Sequence, residues 1–236
     1  MSNGQQKPTL LDRIVPRYAY VPIFLVVLFN TMAYYLTKWI MQDAEHYDLS
    51  FFMDDMLPFV PFFVLFYVLA YLQWGAHYVF HSHVSREFCY HIVTADLMAK
   101  IVCMVFFIVL PTEIERPVIE GNGFWNALTG MIFSSDTPRN LFPSIHCLES
   151  WFCFRAALRI KRAPAWYAPA QLVLTVLVFA STVLIKQHFV VDIVGGIVIA
   201  ELCWILTEKL KLWRALERIE LPFARKQPGG EEENVS

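Results

Sequence analysis

Read from its N-terminus, the chain alternates between long apolar stretches and shorter polar ones. Six apolar stretches stand out, at 18–41, 58–80, 94–110, 143–158, 165–185 and 189–207. Most reach or approach the ~20 residues that an α-helix needs to cross a bilayer. A helix also satisfies its own backbone in lipid, which few other structures can do. The pattern therefore predicts an all-α integral membrane bundle of six transmembrane helices. Tyr18, Tyr20, Tyr34, Tyr35 and Trp39 fall near the ends of the first stretch, where aromatic rings anchor a span at the interface. Within the polar connection 112–142, a short helix over 124–133 is expected to lie along the interface. Gly195 and Gly196 mark a place where a neighbouring helix can come close.

Charge then orients the bundle. Lys7, Arg13 and Arg17, then Arg86, then Arg155 to Arg162, then Lys209 to Lys226 alternate with acidic or motif-bearing loops. The positive-inside rule puts both termini in the cytosol and the 112–142 connection on the opposite side, together with the turn at Lys186. The expected organisation is a cytosolic segment 1–17, one membrane domain 18–212 and a cytosolic tail 213–236. Within that tail 228–236 reads as disordered. The first apolar stretch lacks a small-residue cleavage site and reads as a membrane helix rather than a signal peptide. The short chain points to a bacterial plasma membrane.

Composition agrees with this picture and removes alternatives. The chain is 57% hydrophobic and 17% charged, with a net charge of -2. No basic stripe suited to nucleic acid is present. The five cysteines are scattered through apolar segments, without the spacing of a zinc site or a disulfide framework. His77, His81 and His83 have a spacing that could hold a metal, but a turn at the interface is the better reading. Asp96 and Lys100, four apart, are expected to pair. Glu149, one turn from His146, is expected either to orient that histidine or to sit protonated inside the bundle, and Glu201 to face a polar partner.

Three polar clusters fall on the expected outer face. They are Glu113-Ile114-Glu115-Arg116-Pro117, then Asn140-Leu141-Phe142-Pro143-Ser144-Ile145-His146, then Lys186 to Asp192. The last two open apolar stretches, so they are helix N-termini, which attract anions and phosphate above all. Pro143 suits a first helical turn. Arg116 and Lys186 add cations, and Ser144 adds a hydroxyl. Asp192 lies four residues after His188, where it can hold one imidazole nitrogen and leave the other as a nucleophile.

These groups allow a two-step phosphoryl transfer without a metal or other cofactor. His188 attacks phosphorus with Asp192 behind it. Arg116, Lys186 and Ser144 balance the equatorial oxygens, and His146 protonates the departing alcohol. Simpler readings stand beside this one. Arg116 can pair with Glu113 or Glu115, Lys186 can be an interfacial anchor, Ser144 can be an N-cap, and His188 can be an interfacial histidine at a capped helix end.

Pro143-Ser144-Ile145-His146, followed by Ser181, His188 and Asp192, resembles the type 2 phosphatidic acid phosphatase superfamily, and Arg116-Pro117 matches the end of that family's first motif. The resemblance implies a phosphatidic acid phosphatase type 2-like core that hydrolyses a lipid phosphate or pyrophosphate through a phosphohistidine. Where the family usually has a lysine and an arginine, this chain has Val109 and Thr182. That loss resembles the inositol phosphorylceramide synthase branch, which implies transfer of a lipid headgroup to an alcohol as the alternative. A non-catalytic protein that binds or transports a lipid phosphate is a further alternative. The expected partners are the bilayer and a lipid phosphate.

Overall fold

A computed structural model describes residues 9–218. Lys7, Lys226 and the stretch 228–236 lie outside the described residues. The elements among the described residues are helices, in the order α1 (Leu10–Ile14), α2 (Tyr20–Ile40), α3 (Phe52–Met56), α4 (Val64–Ser82), α5 (Arg86–Val109), α6 (Phe124–Ser135), α7 (Ile145–Ala157), α8 (Tyr167–Leu184), α9 (Val190–Leu210) and α10 (Trp213–Arg218). Among the described residues five helices are long and apolar enough to cross a membrane: α2, α4, α5, α8 and α9, with short 3₁₀ turns leading into α2 and α4. This is a multi-pass membrane protein. Its outer surface is apolar, with Phe24, Val27, Leu72, Val105, Val173, Val198 and Leu202 all exposed.

The sixth expected span is α7, and it differs from the others. It has 13 residues, about 20 Å of helix at 1.5 Å per residue, against a hydrocarbon core of about 30 Å. Its physical situation explains the difference. Cys147, Leu148, Glu149, Ser150, Phe152, Cys153, Ala156 and Ala157 are all buried, so α7 is enclosed by protein on nearly every side and its length need not match the bilayer. The principal core is formed by α5, α7 and α9 around Phe107, Leu148, Phe152 and Trp204. Helix α8 packs on α7, α4 on α7 and α8, and α2 on α5.

Other boundaries shift for local reasons. The third span begins at Arg86 rather than 94, because the Ser85 side chain accepts a hydrogen bond from the Phe88 amide and starts the helix there. The interface helix expected over 124–133 runs to Ser135. His77 and His81 lie inside α4 and are buried, not in an interfacial turn. Pro143 precedes the cap of α7 instead of filling its first turn.

A charged cluster is buried at the centre of the bundle. Lys100 Nζ lies 2.9 Å from Asp96, as the four-residue spacing leads one to expect, and it also pairs with Glu149 of α7. Tyr78 of α4 donates to the other Glu149 oxygen at 3.1 Å. Glu149 therefore ties α7 to α4 and α5 and does not orient His146. Glu201 finds its partners in Trp151 and Arg155, at 2.8 and 2.9 Å.

Candidate active site

At the opposite end of the bundle from the basic turn 159–162, the loops are stitched to the helix ends by their own backbone. Thr112, just past α5, accepts the amides of Leu141 and Phe142 on its hydroxyl, at 2.9 and 3.1 Å, and the Asn140 amide on its carbonyl. Asn140 takes a left-handed conformation, φ 58°, and its side-chain amide donates to Thr37 of α2. The chain is thereby delivered to Ser144, which caps α7 by accepting from the Cys147 amide at 3.3 Å. The Ser144 amide in turn donates to the Asp192 carbonyl, which joins the starts of α7 and α9. That closeness depends on Gly196. A Cβ there would stand 2.8 Å from the Ser144 carbonyl and 3.1 Å from the Leu148 nitrogen.

His188 lies two residues before α9, with Phe189 as the cap. Its Nδ1 is 3.1 Å from Asp192 Oδ2, and the same oxygen accepts the Phe189 amide at 2.9 Å. The four-residue spacing works although His188 itself is not helical. Asp192 is fully buried, so the carboxylate is fixed and leaves Nε2 as the nitrogen free to react. His146, in the first turn of α7, is held in an aromatic cage. Tyr67 stacks on it at 4.1 Å, and Trp74 and Tyr71 flank it at 4.9 and 5.4 Å. Its Nε2 is buried without a partner. The two imidazoles lie 6.2 Å apart between ring centres.

His188 forms part of the wall of two cavities. One, of about 340 Å³, lies between α2, α4, α6 and α7 and also contains His146. The other, of about 360 Å³, is lined by Arg116 and Lys186 among carboxylates from the 48–55 loop. Both cations are already engaged there. Lys186 takes a left-handed conformation and donates to the carbonyls of Asp54 and Leu57, at 3.0 and 2.8 Å. Arg116 donates to the carbonyls of Phe133 and Asp136 and to Gln187 Oε1, at 3.2, 2.7 and 2.5 Å, and lies over the Phe133 ring. It pairs with neither Glu113 nor Glu115; Glu113 instead faces Arg139 at 3.7 Å. Burial lowers the Arg116 pKa from its ordinary value and the nearby Asp136 carboxylate raises it; a guanidinium stays charged under both influences.

Two residues that sequence reasoning passed over complete the arrangement. Asp54, in α3, is buried and accepts the Val190 amide at 2.8 Å, so it caps α9 from outside. The amides expected to bind an anion at this helix end are therefore given to Asp54 and Asp192. Gln187 is 2% exposed, and with Oε1 held by Arg116 its Nε2 is buried without a partner on the wall of the His146 cavity. Its position next to His188 was the available signal. Among the described residues no group of three His, Cys, Asp or Glu side chains converges as metal ligands would.

A sequence model of the PAP2 superfamily matches residues 120–215. The match supports membership of the type 2 phosphatidic acid phosphatase superfamily. The matched segment holds Ser144, His146, His188 and Asp192, whereas Arg116 precedes it. Members of this superfamily are generally phosphatases or phosphotransferases, and membership points to such activity on a phosphorylated substrate. No curated protein matches the chain.

Proposed function

We propose that this protein cleaves a lipid phosphate or pyrophosphate at the extracytoplasmic face of its membrane, through a phosphohistidine formed on His188. The observation that carries the reading is the buried His188–Asp192 pair at 3.1 Å, with the His146 ring 6.2 Å away across one cavity. A carboxylate and two imidazoles converging in the outer end of a membrane bundle are costly groups, and such groups are functional by default.

In the first step His188 Nε2 attacks phosphorus as the bond to the leaving oxygen breaks. Asp192 holds the Nδ1 proton and stabilises the imidazolium. His146 gives the leaving oxygen its proton. In the second step His146 takes a proton from water, which attacks phosphorus and releases phosphate from His188. Developing charge on the phosphoryl oxygens is met by the Gln187 N–H, whose amide is oriented and polarised by Arg116, while Ser144 caps the helix that carries His146. Lys186 contributes its charge from the neighbouring cavity while it holds the 52–57 segment in place. In this reading residues 18–212 form one membrane domain in which α7 is the fourth of six passages, and both termini are cytosolic. Transfer of a lipid headgroup to an alcohol instead of water is the second reading, favoured by the unpartnered polar side chains among the residues that line the His146 cavity.

The test is phosphate release by detergent-purified protein from a panel of lipid phosphates and pyrophosphates, with EDTA present. Quenching in alkaline detergent should trap a base-stable phosphoenzyme that is lost on acid treatment. Release that disappears in both His188→Ala and His146→Ala supports the reading. Release that survives His188→Ala overturns it.

A further inference from the structure

The cavity shared by His146 and His188 carries more hydrogen-bonding capacity than proton transfer requires. Five polar atoms of its lining residues are buried without a partner: Asn30 Oδ1, Thr137 Oγ1, Asn140 Oδ1, His146 Nε2 and Gln187 Nε2. Asn140 and Gln187 are more than nine-tenths buried. A polar group left buried and unsatisfied costs about 1–3 kcal/mol, so a native protein keeps such a set together where a ligand completes it. Two of the five belong to the reaction described above. The other three belong to residues of α2 and of the loop before α7.

The remaining walls indicate how a ligand enters. Tyr35 of α2 and Tyr71 of α4 line the cavity and are 63% and 51% exposed. They stand on helices whose neighbouring residues, such as Leu28 and Leu72, are apolar and exposed on the lipid-facing surface. Two exposed aromatic rings, one on each of α2 and α4, thus stand at the cavity, and amphipathic rings are favoured at a bilayer surface.

We propose that this cavity binds the alcohol part of a lipid that enters from the bilayer and carries additional hydroxyl or amide groups close to its reacting oxygen. Those groups satisfy Asn30, Thr137 and Asn140 while the reacting oxygen lies between His146 and the phosphorus on His188. The proposal rests on the phosphoryl-transfer reading and narrows its substrate. Because the leaving alcohol and an accepting alcohol take the same path in opposite directions, one cavity serves both.

The test is binding without turnover. The full chain with His188→Ala is placed in lipid nanodiscs, and tritiated probes without phosphate are titrated in. The probes are 1-octadecanol, a monoacylglycerol and an N-acyl amino-diol lipid, with free glycerol and inositol as water-soluble controls. One or both hydroxyl-rich lipids should bind at least ~10-fold more tightly than octadecanol. Adding Asn30→Leu and Thr137→Val should remove that preference and leave octadecanol binding unchanged, which also shows that the variant is folded. Equal binding of all three lipid alcohols, no binding of any, or binding of the soluble polyols alone overturns the proposal. Phosphate release by the wild-type chain is measured separately. Release that depends on His188 without any preference among alcohols removes the cavity proposal alone. A preference without release removes the catalytic reading alone.

Discussion

The sharpest structural prediction concerns Gly196→Ala. The added methyl would meet the Ser144 carbonyl at 2.8 Å, the Leu148 nitrogen at 3.1 Å and Cys147 Cβ at 3.3 Å. Comfortable contacts with carbon begin at about 3.5 Å. Two of the three obstacles are backbone atoms, so rotating a side chain cannot relieve them, and the start of α7 must retreat by roughly half an ångström to an ångström. Overpacking of this kind costs about 1–3 kcal/mol. Alanine returns about 1 kcal/mol of that through its better helix propensity. The net loss of stability is therefore modest, but the effect on rate is not. The shifted segment carries Ser144 and His146, and a misplacement near 1 Å lowers a rate by about 10²-fold.

Gly75 provides the control. It also lies in a long helix, and a Cβ there meets nothing within 4 Å, so Gly75→Ala should be neutral or slightly stabilising in both measurements. The assays are phosphate release and the thermal unfolding midpoint in detergent, followed by circular dichroism. If Gly196→Ala keeps wild-type activity, the close approach of α9 to α7 does not set the position of His146.

Asp192→Asn should lower the rate by about 10²–10⁴-fold, the usual contribution of a positioned proton-handling group, while the unfolding midpoint moves far less; an unchanged phosphate-release rate would remove Asp192 from the machinery. Gln187→Ala should lower kcat by about 10²–10³-fold, as loss of an oxyanion donor does, with KM little changed; a rise in KM alone would make Gln187 a binding group. Lys100→Met leaves Asp96 and Glu149 buried without their cation and should destabilise the bundle by about 3–5 kcal/mol. The triple variant Asp96→Asn, Lys100→Met, Glu149→Gln should regain much of that loss in the same melting experiment, and equal melting of the two variants would contradict the pairing.

Much of the architecture is written in hydropathy because lipid is a demanding solvent. A stretch that must satisfy its own backbone and hide its polar atoms has few options, and five of the six apolar stretches became long helices. Helix α7 escapes that logic because it is enclosed by other helices and not by lipid. Local spacing also carried the Asp96–Lys100 pair, the His188–Asp192 contact and the role of the paired glycines, since each involves residues within a turn or two. Long-range contacts are where the spacing falls silent. Nothing near Asp54 announces that it will cap α9 across 136 positions, and nothing near Arg116 announces that Gln187 will take one of its nitrogens. The partners that Arg116 and Lys186 find are beyond such reading, because a sequence lists donors but not the carbonyls that fold onto them.

That redistribution of donors bears on how the site can work without the two cations that the family resemblance leads one to expect where this chain has Val109 and Thr182. Val109 is 74% exposed at the end of α5, and Thr182 is fully buried, its hydroxyl donating within its own helix. Neither position offers charge. Placing a bare guanidinium in the His146 cavity would have required desolvating it beside rings of Tyr67, Tyr71 and Trp74. Here the charge stays on Arg116, whose donors are largely satisfied by carbonyls, and Gln187 passes its influence to the cavity as a neutral N–H. A neutral donor holds a free phosphate dianion less tightly than a cation does. It still meets charge that develops on the phosphoryl oxygens during transfer, where a preorganised dipole is worth most. On this reasoning inorganic phosphate should bind weakly, and affinity should come from contacts with the organic part of the substrate.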